Sequence, residues 1–122
     1  MATRQGAPRR VLFVEDEEAL RRAYERYFAQ RYDMAFAGTG AEGLLEFNNF
    51  VPDVLVLDMQ LPDTDGLALL KQMREQRPDL PVIVTTAYAS MRPVIEVLDL
   101  DHNSFLVKPF ELEELAHLID DV

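Results

Sequence analysis

The chain has no cysteine, only two lysines (Lys71 and Lys108), and few basic residues of any kind. Without cysteine there are no disulfides, no thiolate metal sites and no Cys nucleophile. No apolar run approaches the roughly 20 residues of a membrane-spanning helix. Met1 to Arg10 lacks the apolar segment of a signal peptide, so a cytoplasmic protein is the expectation. Twelve basic residues against 22 acidic ones give a net charge of -10. Direct nucleic-acid binding is therefore not expected, because phosphate contacts need clustered Lys and Arg. At 122 residues the chain is long enough for one domain with its own core.

The residues that are present alternate in type along the chain. Residues 1–10, with Arg4, Arg9 and Arg10, read as a polar lead-in, and residues 11–122 as the domain. Val11–Val14, Met34–Ala37, Val54–Leu57, Val82–Val84 and Phe105–Val107 are short apolar runs, the pattern of strands covered on both faces. Between and after them, helical spacing recurs. It is carried by Leu20, Tyr24, Tyr27 and Phe28, by Leu44, Leu45 and Phe47, and by Leu67, Leu70 and Met73. The span from Ala89 to Leu100 and the set Leu112, Leu115, Ala116 and Ile119 continue it. Five alternations with short connections specify an α/β domain with a parallel sheet and helices on both faces.

In such a sheet the groups just beyond each strand share one edge, where ligands bind. Strand one brings Glu15 and Asp16 there, strand three Asp58, strand four Thr86 and strand five Lys108. Taken singly, each has an ordinary explanation. Glu15 and Asp16 suit a helix first turn, Asp58 suits a cap, Thr86 a strand end, and Lys108 a solvated turn. Their concurrence at the ends of four strands favours a site. Clustered carboxylates call for a cation, and oxygen ligands without His or Cys select Mg²⁺ or Ca²⁺, with a partly open site favouring Mg²⁺. Lys108 and Thr86 would then face a second anionic group, which fits a phosphoryl on Asp58.

The acid pair in VEDE, the run LDMQLPDTDG, the TTA at strand four and the terminal VKPF resemble the receiver domains of bacterial two-component response regulators, including the chemotaxis-type regulators. The resemblance spans Val11 to about Ile119. It implies a flavodoxin-like, doubly wound sheet of five parallel strands in the order 2-1-3-4-5 with five helices. It further implies that Asp58 accepts a phosphoryl group from a sensor histidine kinase, a phosphotransfer protein or a small phosphodonor. Mg²⁺ would be held by Asp16, Asp58 and the backbone carbonyl of Gln60, with Glu15 acting through water. Thr86 would be the switch hydroxyl, Phe105 the switch aromatic and Lys108 the partner of a phosphoryl oxygen, with a cis Lys108–Pro109 bond. Gln60 and Tyr88, each two residues past a key position, would tune the lifetime of the phosphoryl group. The face made by the fourth helix, fifth strand and fifth helix would switch and meet a downstream effector. The family's usual Gly-Ala pair before strand five is replaced by Leu100-Asp-His-Asn-Ser104. Acids dominate that output face, so a monomer or a basic partner is expected rather than a symmetric dimer.

Rival readings fit less well. A haloacid-dehalogenase-like phosphatase needs a second Asp where Gln60 stands. A P-loop needs Lys where Leu44 follows Gly43. A flavin site would meet four acids after strand one. His102 and His117 stand alone, without a second ligand at metal spacing. A receiver-like module that docks partners without being phosphorylated is the remaining alternative.

Overall fold

The computed structural model describes residues 7–89 and 103–122. Within them, strands β1 (Arg9–Val14), β2 (Tyr32–Ala37), β3 (Val54–Asp58), β4 (Val82–Thr86) and β5 (Asn103–Val107) form one parallel sheet in the order β2-β1-β3-β4-β5. Four helices are described: α1 (Glu18–Phe28), α2 (Gly40–Phe50), α3 (Gly66–Gln76) and the C-terminal helix (Leu112–Asp121). Beyond Ala89, the expected helix over 89–100 lies outside the described residues, as do Arg4 and His102.

The strands hold their register because alternate side chains serve two separate cores. Leu12, Val14, Leu55, Leu57, Val82 and Val84 pack with Leu69, Leu70 and Met73 of α3 and Phe47 of α2. Val11, Phe13, Val54, Val56 and Ile83 pack with Tyr24 and Phe28 of α1 and Leu115 and Ile119 of the C-terminal helix. Phe13 is sandwiched against Tyr24, at 4.7 Å between ring centroids, and Phe36, at 5.3 Å. Each fully buried Leu, Phe or Val of this kind contributes about 1.5–3 kcal/mol. Five consecutive buried residues in β3 therefore anchor that strand strongly, and with it the position of Asp58.

The starts of α2 and α3 are fixed by side chains that satisfy free amides. Thr39 Oγ1 accepts from Glu42 N at 3.1 Å, and Asp65 Oδ1 accepts from Leu67 N at 3.0 Å. α2 ends at Val51, whose φ of 53° is left-handed. Gly66 permits the tight start of α3, because a Cβ there would lie 2.5 Å from the Met59 Cα.

The first strand starts ahead of the apolar run, since Arg9 and Arg10 belong to β1. The Arg10 amide donates to Asp53 at 2.9 Å. Its guanidinium donates to the Phe50 carbonyl, lies 4.0 Å from the Phe50 ring centroid and pairs with Asp33 at 2.8 Å. The long aliphatic stem of an arginine can cover apolar surface while its head stays polar. Arg10 is thus a cap for the end of α2, in a position that composition alone marks as surface.

Candidate functional site: an acid–lysine crevice at the sheet edge

The carboxyl ends of β1, β3, β4 and β5 are brought together by the strand order. Asp58 pairs in register with Thr85, and Thr86 with Val107, so Lys108 follows directly alongside. Two backbone bonds close this edge: Met59 N donates to Thr85 O at 3.0 Å, and Lys108 N to Thr86 O at 2.7 Å. The Lys108–Pro109 bond is cis, as the family resemblance implies.

Glu15, Asp16 and Asp58 each place a carboxylate oxygen within 4.8 Å of the others. Glu15 and Asp58 are buried, at 2% exposure each, whereas Asp16 is exposed and opens the cluster to solvent. Lys108 Nζ donates to Glu15 Oε1 at 2.8 Å and to Asp58 Oδ2 at 3.1 Å. The other Asp58 oxygen accepts from the Gln60 backbone amide at 3.0 Å, and Glu15 Oε2 accepts from Glu17 N at 3.1 Å. Both buried acids are therefore held in fixed orientation.

The electrostatics follow from this packing. Burial pushes the Glu15 carboxyl up to about 7, with the nearby Asp58 charge adding to the rise and the Lys108 bond only partly offsetting it. For Lys108, burial alone would lower the ammonium's pKa, but Glu15 and Asp58 outweigh it and the net direction is upward. The lysine stays charged while one of its two acid partners is reluctant to ionise. A set of hard oxygen donors, open on one side and short of positive charge, suits Mg²⁺.

At the end of β4, Thr86 is fully buried. Its Oγ1 accepts from the Tyr88 amide at 3.1 Å and faces the Gln60 carboxamide, whose Oε1, the acceptor for its hydrogen, is at 3.2 Å and whose Nε2 is at 3.1 Å. Tyr88 itself is 58% exposed. Phe105 is buried in the core that includes Val84. The structure therefore brings Glu15, Asp16, Asp58 and Lys108 together, with Gln60 joining Asp58 to Thr86, and Thr86 bonded to the start of the following loop at Tyr88, while Phe105 lies in the core.

Three contacts here are not apparent from spacing. Asp63, an exposed loop acid, accepts from Gly40 N at 2.7 Å and Ala41 N at 3.0 Å, clasping the loop after Asp58 to the start of α2. These backbone bonds hold its carboxyl below the usual range. Arg21 donates to the Glu15 carbonyl at 2.7 Å, steadying the turn that carries Asp16. Lys108 bridges Glu15 as well as Asp58. A periodic pattern locates α1 but not the reach of one arginine, and only the Gly40 amide, left free at a helix start, hints at an acid partner for it.

A parallel sheet with a buried carboxylate, an adjoining acid pair, a hydroxyl and a lysine at one edge defines a flavodoxin-like signalling domain of the receiver type. Residues 11–120 match the family model for the response regulator receiver domain, and the chain belongs to that family. It is 37% identical over 111 residues to the regulatory protein AtoC of Escherichia coli K12, covering 90% of this chain and 24% of AtoC. A CheY-like receiver domain protein from Methanospirillum hungatei JF-1 superposes with a TM-score of 0.83 at 27% identity, covering 94% of this chain and 93% of that one. The response regulator TrrA of Thermotoga maritima, solved in complex with Mg²⁺ and BeF, gives 0.81 at 28% identity, covering 93% and 97%. The chain spans less than half the length of the curated relatives it matches, from 24% to 47%. Among the described residues, no helix is long and apolar enough to cross a membrane.

Proposed function

We propose that this chain is a phosphoacceptor receiver domain in which Asp58 takes a phosphoryl group from a histidine kinase, a phosphotransfer protein or a small donor such as acetyl phosphate. The observation that carries the reading is the placement of Asp58, bonded to Lys108 at 3.1 Å and clustered with Glu15 and Asp16. In transfer, an Asp58 carboxylate oxygen attacks phosphorus as the donor's bond to phosphorus breaks, and the donor leaves with that electron pair. Lys108 neutralises charge on the transferring oxygens, and the Gln60 amide orients the carboxylate.

Mg²⁺ would be held by Asp16, Asp58 and the Gln60 carbonyl, with Glu15 acting through water. Bound there, the ion supplies charge neutralisation for the phosphoryl oxygens. Thr86 acts as the switch hydroxyl and Phe105 as its aromatic partner. Gln60 and Tyr88 stand where they can govern access of water to the aspartyl phosphate. Phe105 is already packed inward, which leaves Thr86 as the group that must change partners on phosphorylation. The output is a protein contact, with an effector domain or protein, in the cytoplasm; the domain is a monomer before phosphorylation. The complex of TrrA with Mg²⁺ and BeF supports the same metal and phosphoryl chemistry here.

The test is intact mass after incubation with Mg²⁺ and acetyl phosphate. Gain of one phosphoryl group, abolished by Asp58→Asn, is expected. No gain with any donor would refute the reading and favour a docking module that works unphosphorylated.

A further inference from the structure

We propose that the Gln60 carboxamide is a latch on the switch, holding the Thr86 hydroxyl in the unphosphorylated state and opposing activation until it is released. The inference rests on the phosphoacceptor reading of Asp58 and adds to Gln60 a role distinct from lifetime tuning.

The argument is one of hydrogen-bond capacity. A threonine hydroxyl has one hydrogen to donate and two lone pairs. At Thr86 one lone pair accepts from the Tyr88 amide at 3.1 Å, and the Gln60 carboxamide lies across the remaining face of the hydroxyl. The single hydrogen goes to Gln60 Oε1 at 3.2 Å. Gln60 Oε1 also accepts from the Ala87 amide at 3.4 Å. The carboxamide contact covers a fully buried hydroxyl with an exposed side chain.

A phosphoryl group on Asp58 offers only acceptor oxygens, so it needs that same hydrogen. Thr86 can serve it only by giving up Gln60 Oε1. The residue holding the hydroxyl is also the residue whose backbone amide holds Asp58 Oδ1, at 3.0 Å. Gln60 thus touches both ends of the switch, and a change at Asp58 is transmitted to the latch through one residue. The Gln60–Asp65 bridge braces its backbone during that change. The latch should therefore raise the threshold for activation without altering the acid cluster.

Equilibrium binding of beryllofluoride with Mg²⁺, a phosphoryl mimic that involves no hydrolysis, separates this role from lifetime tuning. Gln60→Ala should tighten beryllofluoride binding about threefold to tenfold, the worth of one neutral hydrogen bond. In a Thr86→Val background, or Thr86→Ala should Val fail to fold, Gln60→Ala should have no effect. As a second readout without any ligand, the Tyr88 amide resonance of Gln60→Ala should shift toward its position in the beryllofluoride-saturated wild type. Wild type that does not bind beryllofluoride would overturn the phosphoacceptor reading and the latch together. Wild-type binding with Gln60→Ala equal or weaker, or an effect that persists without the Thr86 hydroxyl, would overturn the latch alone.

Discussion

Replacing Glu15 by Gln tests the electrostatics of the crevice through stability. Glu15 is buried beside Asp58, and its carboxyl is pushed from 4.5 to about 7, first by burial and then by the Asp58 charge. Below pH 4.5 the carboxyl is protonated folded or unfolded. Between 4.5 and 7 the folded state keeps a proton that the unfolded chain releases, so Glu15's contribution to stability falls as pH rises and is lost above about 7. At about 1.4 kcal/mol per unit, the fall is on the order of 3 kcal/mol. Glutamine cannot titrate, so its variant lacks this slope. Shifts at Lys108 and Asp63 act above 10.5 and below 3.8 and leave the window clear. Urea unfolding in EDTA, for wild type and Glu15→Gln from pH 4.5 to 8, measures the difference. The wild type should lose stability relative to the variant as pH rises. A gap that is constant, or that grows in favour of wild type, would mean that the Lys108 ion pair outweighs burial and that Glu15 is charged throughout.

Other outcomes follow from single contacts. Gly66→Ala should destabilise by about 1–3 kcal/mol, because the added methyl meets the Met59 backbone at 2.5 Å; its urea midpoint should drop. Val51→Gly should raise stability by about 1 kcal/mol in thermal melts, since Val51 is left-handed at φ 53° and 55% exposed, so little packing is lost. Tyr88→Ala should shorten the lifetime of the aspartyl phosphate if the exposed ring screens it from water. Phosphoryl loss followed by intact mass checks this, and an unchanged rate would refute it.

What was legible in the sequence is what depends on periodicity and strand order. The five apolar runs reappear within β1 to β5, the central ones, β3 and β4, buried along their whole length as strands covered on both faces are. The ends of those runs fall at one sheet edge, and this is why Glu15, Asp16, Asp58, Thr86 and Lys108 were readable as one site. Strand starts were less legible. Arg9 and Arg10 look polar yet pair in β1, and Tyr32 and Asn103 begin their strands before the apolar runs do. The choice of hydrogen-bond partner was not legible at all. Nothing in the spacing tells that Gln60 turns its carboxamide onto Thr86, or that Asp63 reaches across to α2. Rotamers and loop geometry decide such contacts, and they exist only once the chain has folded.

The two-lysine composition gains meaning at this edge. Of the two, Lys71 lies exposed on α3, and Lys108 stands between Glu15 and Asp58. With all groups ionised, three carboxylates and one ammonium leave two negative charges uncompensated in a partly buried crevice. Burial beside Asp58 relieves part of this by raising the Glu15 carboxyl to about 7, which makes it reluctant to ionise. A divalent cation would relieve all of it, and would free Lys108 from bridging the acids to meet an incoming phosphoryl oxygen. Under the proposed function, metal loading and phosphoryl acceptance would be coupled through one lysine, and a second lysine in the crevice would weaken the coupling by neutralising the acids permanently. The scarcity of lysine is thus consistent with a site whose charge is completed from outside.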